Sequence, residues 1–144
     1  MIATVGGLGY APIASGTVAS AAAAALWYAF APADPAAQWL ICAVTTLVGI
    51  WASGVTAKRA NDHDPKVVVI DEVAGMWITL AGLPKTLPIL IAAFALFRLF
   101  DIGKWPPMRQ LERLHGGLGI MLDDVAAGLI GRLLLALGLA WLGR

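Results

Sequence analysis

Apolar residues fill five blocks of this chain, separated by short breaks of proline, glycine or charge, and each block has the length and composition of a helix. "GTVASAAAAALWYAFA" (16–31) stops at the turn "PADP" (32–35), and "AAQWLICAVTTLVGIWASGVTAKRAND" (36–62) runs into a polar stretch. "DEVAGMWITLAGL" (71–83) opens on two carboxylates and ends at Pro84. "TLPILIAAFALFRLFDIGK" (86–104) ends before Pro106-Pro107, and "LDDVAAGLIGRLLLALGLAWLG" (122–143) closes the chain. "KVVVI" (66–70) has strand composition, but a lone strand in lipid leaves its backbone unpaired, so it is read as an extended lead-in to the third helix or as its first turn. With no long linker and no repeat, the pattern predicts one all-α domain over 1–144. Small residues four apart, as at Ala21/Ala25 and Ala127/Gly131, suit close helix-to-helix contact.

Composition changes the picture from a helical protein to a membrane one. Hydrophobic residues make up 60% of the chain and the mean hydropathy is +0.80, against roughly 45–50% apolar residues in ordinary soluble domains. Residues 1–33 carry no charge and 35–57 form a second uncharged run, which is enough to cross a hydrocarbon core needing about 20 helical residues. No Lys or Arg precedes the first apolar block, so a cleavable signal peptide lacks its charged start and the block is expected to be retained. Cys42 lies alone in an apolar run and reads as packing. A net charge of +1 without a basic stripe excludes a nucleic-acid partner from the reading.

Charge placement then orients the helices. The breaks at 32–35 and 84–87 hold at most Lys85, whereas 58–66 holds Lys58, Arg59 and Lys66, and 98–115 holds Arg98, Lys104, Arg109 and Arg113. The positive-inside bias puts the last two in the cytoplasm. The expectation is a polytopic membrane bundle of about five helices with its N-terminus inside, the third helix being short for a full span. Eight of the nine carboxylates then fall on the cytoplasmic face, all except Asp34.

On that face Asp71 and Glu72 open the third helix, Asp101 closes the fourth, and Asp123 and Asp124 open the fifth. Oxygen ligands converging from several elements suit a hard divalent cation, with Mg²⁺ bridging to a phosphate the commonest case. Taken singly, "DE" and "DD" are equally explained as N-caps, and Asp101 as the partner of Arg98 three residues earlier. Asp101 is the awkward one, because a carboxylate at a helix C-terminus faces the negative end of the dipole. A metal explains it, with Arg98 left to meet a substrate oxyanion. Gly116, Gly117 and Gly119 form a turn that is either a flexible connection or a phosphate cradle. Ser15 and Thr17 in "PIASGT" are N-caps or phosphate contacts, His63 and His115 are read as solvated, and Arg132 lies inside the fifth helix with no partner in view.

Four blocks, "PIASGT", "IDEVAGMWITL", "FRLFDIGKWPPMRQLER" and "HGGLGIMLDDVAAGLIG", resemble the phosphatidylglycerophosphatase A family in order and spacing over most of the chain. The resemblance implies a bacterial inner-membrane, Mg²⁺-dependent phosphatase that converts phosphatidylglycerophosphate to phosphatidylglycerol. It also implies acidic positions at Asp71, Glu72, Asp101, Asp123 and Asp124, with Arg98 and Lys104 beside them. On this reading those five carboxylates supply the metal ligands, and Asp71 or Asp123 is the general base. Arg98 and Lys104 neutralise charge, and Thr17, Gly116 and Gly117 touch the substrate phosphate. Membrane lipid surrounds the helices, and a homo-oligomer is compatible with the sequence. Two rivals remain: a Mg²⁺-dependent lipid phosphoryl or phosphatidyl transferase, whose CDP-alcohol type lacks its Asp-rich motif here, and a small cation transporter, which would place acids nearer the midplane.

Overall fold

The computed structural model describes every residue except 104, 107, 112 and 144. It is all-helical, with no strand among the described residues. A 3₁₀ segment, Val5–Tyr10, is followed by α1 (Ser15–Phe30), α2 (Pro35–Ala60), α3 (Ile70–Leu80), α4 (Leu87–Gly103), the single turn α5 (Met108–Leu111) and α6 (Gly117–Leu142). The five apolar blocks thus correspond to α1, α2, α3, α4 and α6, with two short additions that the hydrophobic pattern does not announce.

Local chemistry sets several of the boundaries. Asp34 caps α2 by accepting from the Ala36 and Ala37 amides at 3.1 and 3.2 Å, with Pro35 in the first helical position. Asn61 ends that helix in the left-handed conformation. Neither Ser15 nor Thr17 is an N-cap, a correction to the simpler expectation. Ala14 occupies that position, the Ser15 hydroxyl donates to the Lys66 carbonyl at 3.3 Å, and Thr17 faces α4. The "KVVVI" stretch is a lead-in to α3, and the Val69 and Ile70 amides share the Ala3 carbonyl at 2.9 and 3.2 Å.

The largest departure is the start of α6, which begins five residues before the predicted boundary. Asp123 and Asp124 therefore do not open a helix. They lie in its second turn, 7% and 3% exposed, which removes N-capping as their explanation. The glycines that read as a loop are helical from Gly117 onward; Gly116, at φ 70°, is the turn residue before them. Packing overrides their low helix propensity: a Cβ on Gly117 would sit 1.8 Å from the Ile50 carbonyl oxygen, so only glycine lets α6 lie this close to α2.

α3 is the central element and packs against α1, α2, α4 and α6. Its buried residues include Val73, Ala74, Gly75, Met76, Ile78 and Leu80. The α3–α6 crossing is a backbone contact. A Cβ on Gly128 would lie 2.4 Å from the Gly75 carbonyl oxygen, and one on Gly75 would meet the Asp124 carbonyl oxygen at 2.7 Å and the Phe97 ring at 2.4 Å. Asp71 is four residues before Gly75 and Asp124 is four before Gly128, so each carboxylate stands one turn from the crossing on the same face. Gly128→Ala is expected to cost about 1–3 kcal/mol by overpacking and to separate Asp71 from Asp124. The melting temperature should fall, although no carboxylate has been touched.

Arg132 finds its partners at the opposite end of the bundle. Its Nε donates to the Ala81 carbonyl at 2.7 Å, and the guanidinium lies 5.1 Å from the centroid of the Trp39 ring. Beside it the buried Gln38 accepts from the Gly82 amide at 2.6 Å and donates to the Pro32 carbonyl at 2.7 Å. This network ties α2, α6 and the α3–α4 turn together far from the carboxylates.

Two helices, α2 and α6, are long and apolar enough to cross a bilayer. Much of their surface is uncovered by the rest of the protein: Leu40, Leu47, Trp51, Leu133, Leu137 and Trp141 are all exposed.

Candidate active site

The N-terminal ends of α1 and α3, the C-terminal end of α4 and the second turn of α6 meet around a cavity of about 520 Å³. Asp71, Glu72, Asp101, Asp123 and Asp124 all line it, so the structure gathers the five acidic positions in one place. Ser15, His63, Asp64 and Lys66 complete its polar wall, with Gly9, Ala11, Pro12 and Ala14 from the N-terminal segment.

Within the five, three are closer than the rest. One carboxylate oxygen from each of Asp71, Glu72 and Asp124 lies within 4.8 Å of the other two. Asp71 Oδ1, Glu72 Oε2 and Asp124 Oδ2 are buried and accept no hydrogen bond among the described residues. A buried, unsatisfied carboxylate oxygen is costly, and three facing one another repel as well. Burial first and the adjacent Glu72 carboxylate second push Asp71 well above the ordinary carboxylate range, and burial likewise raises Glu72. A divalent cation bound among them would remove both penalties at once. The donor set, all oxygen and all acidic, fits Mg²⁺ by hardness and by its need for only one or two carboxylates beside water and phosphate.

Asp101 takes a different position. Its Oδ2 accepts from Arg98 Nη1 in an i, i+3 ion pair, and Arg98 Nη2 donates to Thr17 Oγ1 at 3.2 Å. The carboxylate that looked misplaced at a helix C-terminus is thus satisfied by the arginine one turn earlier, at the edge of the same cavity. Arg98 is held from two helices, and its buried Nε has no acceptor among the described residues.

The structure does not bring every predicted residue together. Gly116 and Gly117 lie outside this cavity, along the α2–α6 groove with Lys58 and His115, and neither Arg98 nor Thr17 lines it directly: Arg98 joins its wall by donating to Asp101, and Thr17 in turn accepts from Arg98. Lys104 lies outside the described residues. The sequence reading takes His63 as solvated and gives Asp64 and Lys66 no role at a site, whereas all three line the cavity. The available signal was "HDPK" directly preceding the lead-in to α3, a run of polar groups delivered to the mouth of a carboxylate-bearing helix.

Comparison with known proteins agrees with this geometry. The sequence model described as phosphatidylglycerophosphatase A matches residues 1–139. A Bacteroides thetaiotaomicron protein that carries the provisional name phosphatidylinositol-3-phosphatase is 39% identical over 144 residues, covering 94% of this chain and 90% of its own length. Phosphatidylglycerophosphatase A of Escherichia coli K12 is 40% identical over 126 residues, covering 86% of this chain and 73% of its own. The Haemophilus influenzae protein of that name is 40% identical over 92 residues, covering 62% and 56%. No solved structure matches the chain. A match along almost the whole length, with Asp71, Glu72, Asp101, Asp123 and Asp124 all lining one cavity, leaves a single assignment: the chain belongs to the phosphatidylglycerophosphatase A family.

Proposed function

We propose that this chain is a Mg²⁺-dependent phosphatidylglycerophosphatase of the bacterial inner membrane. It removes the terminal phosphate of phosphatidylglycerophosphate to leave phosphatidylglycerol and inorganic phosphate. The observation that carries the metal is the trio Asp71, Glu72 and Asp124, each with one buried oxygen that has no hydrogen-bond partner among the described residues. The named substrate follows from the family and from the Escherichia coli relative.

A multi-pass bundle with the cavity toward the cytoplasm is supported by two observations. The apolar faces of α2 and α6 lie uncovered, as a surface in contact with lipid would be. Lys66 lines the cavity, and Lys58 and Arg59 lie in the last turn of α2 a few residues before it. At that boundary the acyl chains stay among lipid while the phosphate enters the polar cavity.

In this reading Asp71, Glu72 and Asp124 would hold the cation, which when bound would supply Lewis-acid stabilisation of the phosphate's charge. Arg98, fixed beside the cavity by Asp101 and Thr17, would supply positive charge to the phosphate without having to reorganise. Asp123 lines the same cavity outside the cation trio and would accept the proton of an attacking water. Asp71, the other candidate base, is committed to the trio.

Purified protein in mixed micelles tests this directly. Phosphate release from phosphatidylglycerophosphate is expected with Mg²⁺ and none with excess chelator, and phosphatidylinositol 3-phosphate should be a poorer substrate. Release that is indifferent to chelator would refute the metal. A preference for the inositol lipid would move the substrate to that of the Bacteroides relative's name.

A further inference from the structure

We propose that Gly16 and Thr17, at the start of α1, are positioning residues. They keep Glu72 and Arg98 apart, so that the carboxylate serves the cation and the guanidinium serves the phosphate. The inference rests on the phosphatase reading of this cavity.

Two observations on adjacent residues carry it. Arg98 reaches across from α4 and donates through Nη2 to Thr17 Oγ1 at 3.2 Å, while Nη1 is taken by Asp101. One residue earlier, a Cβ added to Gly16 would lie 2.1 Å from Glu72 Oε1 and 3.4 Å from Arg98 Nη1. The Glu72 carboxylate therefore rests directly on the α1 backbone, in the space that any other residue would fill. Opposite charges meet the same two-residue step of one helix, yet no ion pair joins them among the described residues. Their direct pairing would be a strong one, because a guanidinium fork matches a carboxylate bidentately. It would also be unproductive, since it withdraws a ligand oxygen from the cation and the donors from the phosphate. The Thr17 hydroxyl gives Arg98 a neutral acceptor instead, and the bare Gly16 gives Glu72 room to stay beside Asp71.

Neither residue reaches the reacting atoms by this account, so the signature is a displaced Arg98 or Glu72 in a folded protein. Thr17→Val keeps the shape and removes the acceptor. It is expected to lower kcat for phosphatidylglycerophosphate about 10- to 100-fold, as small misplacements of catalytic groups do. It should also weaken Mn²⁺ binding to the substrate-free protein, read by calorimetry or by the paramagnetic resonance of free Mn²⁺. Thr17→Ser restores the acceptor and should recover both readings. Gly16→Ala forces Glu72 off the helix and should weaken Mn²⁺ binding about tenfold, the size expected when the support of a metal ligand is lost.

Circular dichroism and melting temperature identify the folded variants; if Thr17→Val does not fold, Gly16→Ala and Thr17→Ser carry the test. Mn²⁺ affinity unchanged in Gly16→Ala, or Thr17→Ser no better than Thr17→Val, overturns the proposal. If the wild type releases no phosphate from this lipid, the phosphatase reading fails separately. The Mn²⁺ titrations still decide the positioning role, with weakened binding supporting it and unchanged binding overturning it.

Discussion

Asp124→Asn is expected to abolish phosphate release, by about a thousandfold or more, because a catalytic metal supplies several kcal/mol of charge stabilisation and each 1.36 kcal/mol is tenfold in rate. Asp124 is the most deeply buried of the close trio, at 3% exposure, and its Oδ2 is buried without a hydrogen-bond partner among the described residues. The amide keeps the volume and removes the charge, which separates ligation from packing. Two measurements belong together, initial rate and melting temperature, each with Mg²⁺ and with chelator. Wild type should gain stability from Mg²⁺, since a ligand that binds the folded state raises its melting temperature, and the variant should gain much less. In chelator the variant should melt no lower than wild type, because it replaces a buried carboxylate by a neutral amide of the same volume among other carboxylates. A variant that melts far below wild type in chelator would show Asp124 to be a structural residue instead.

Arg98→Ala is expected to lower kcat/KM by about 10²- to 10³-fold, the cost of losing one preorganised donor to a developing oxyanion. Its effect on the metal should be the reverse of the effect on rate. Without the guanidinium, Asp101 is left as an unpaired carboxylate on the cavity wall, so Mn²⁺ binding should be unchanged or tighter. Arg98→Lys keeps the charge but cannot engage Asp101 and Thr17 together, and should recover only part of the rate. Full activity in Arg98→Ala would return the Arg98–Asp101 pair to a purely structural role. Weaker Mn²⁺ binding in that variant would mean that Asp101 is a ligand only when Arg98 orients it.

Much of the architecture was legible because it is written locally. The stops at "PADP", Pro84 and Pro106-Pro107 bound α1, α3 and α4 to within a few residues, since proline and its predecessor disfavour helical continuation wherever they fall. The start of α6 was not legible. Gly116, Gly117 and Gly119 have poor helix propensity, and nothing nearby in sequence signals that Ile50, some 67 residues away, requires a bare backbone there. The same long-range contact turned Asp123 and Asp124 from presumed caps into buried groups one turn inside a helix. Arg132 was equally opaque, for its partners Ala81 and Trp39 come from two other parts of the chain.

By itself, then, the sequence determined an all-helical chain, its five principal helices and the residue types available for chemistry at one end of them, because hydrophobic period, capping and charge are properties of neighbours in the chain. Only the tertiary structure decided which of five acidic side chains form the close trio and which is paired to arginine. That sorting depends on the distance between α3 and α6, set where Gly75 and Gly128 let two backbones touch, and on the reach of Arg98 to α1. Distances between helices arise from side chains that are absent as much as from those present, and no local pattern encodes them.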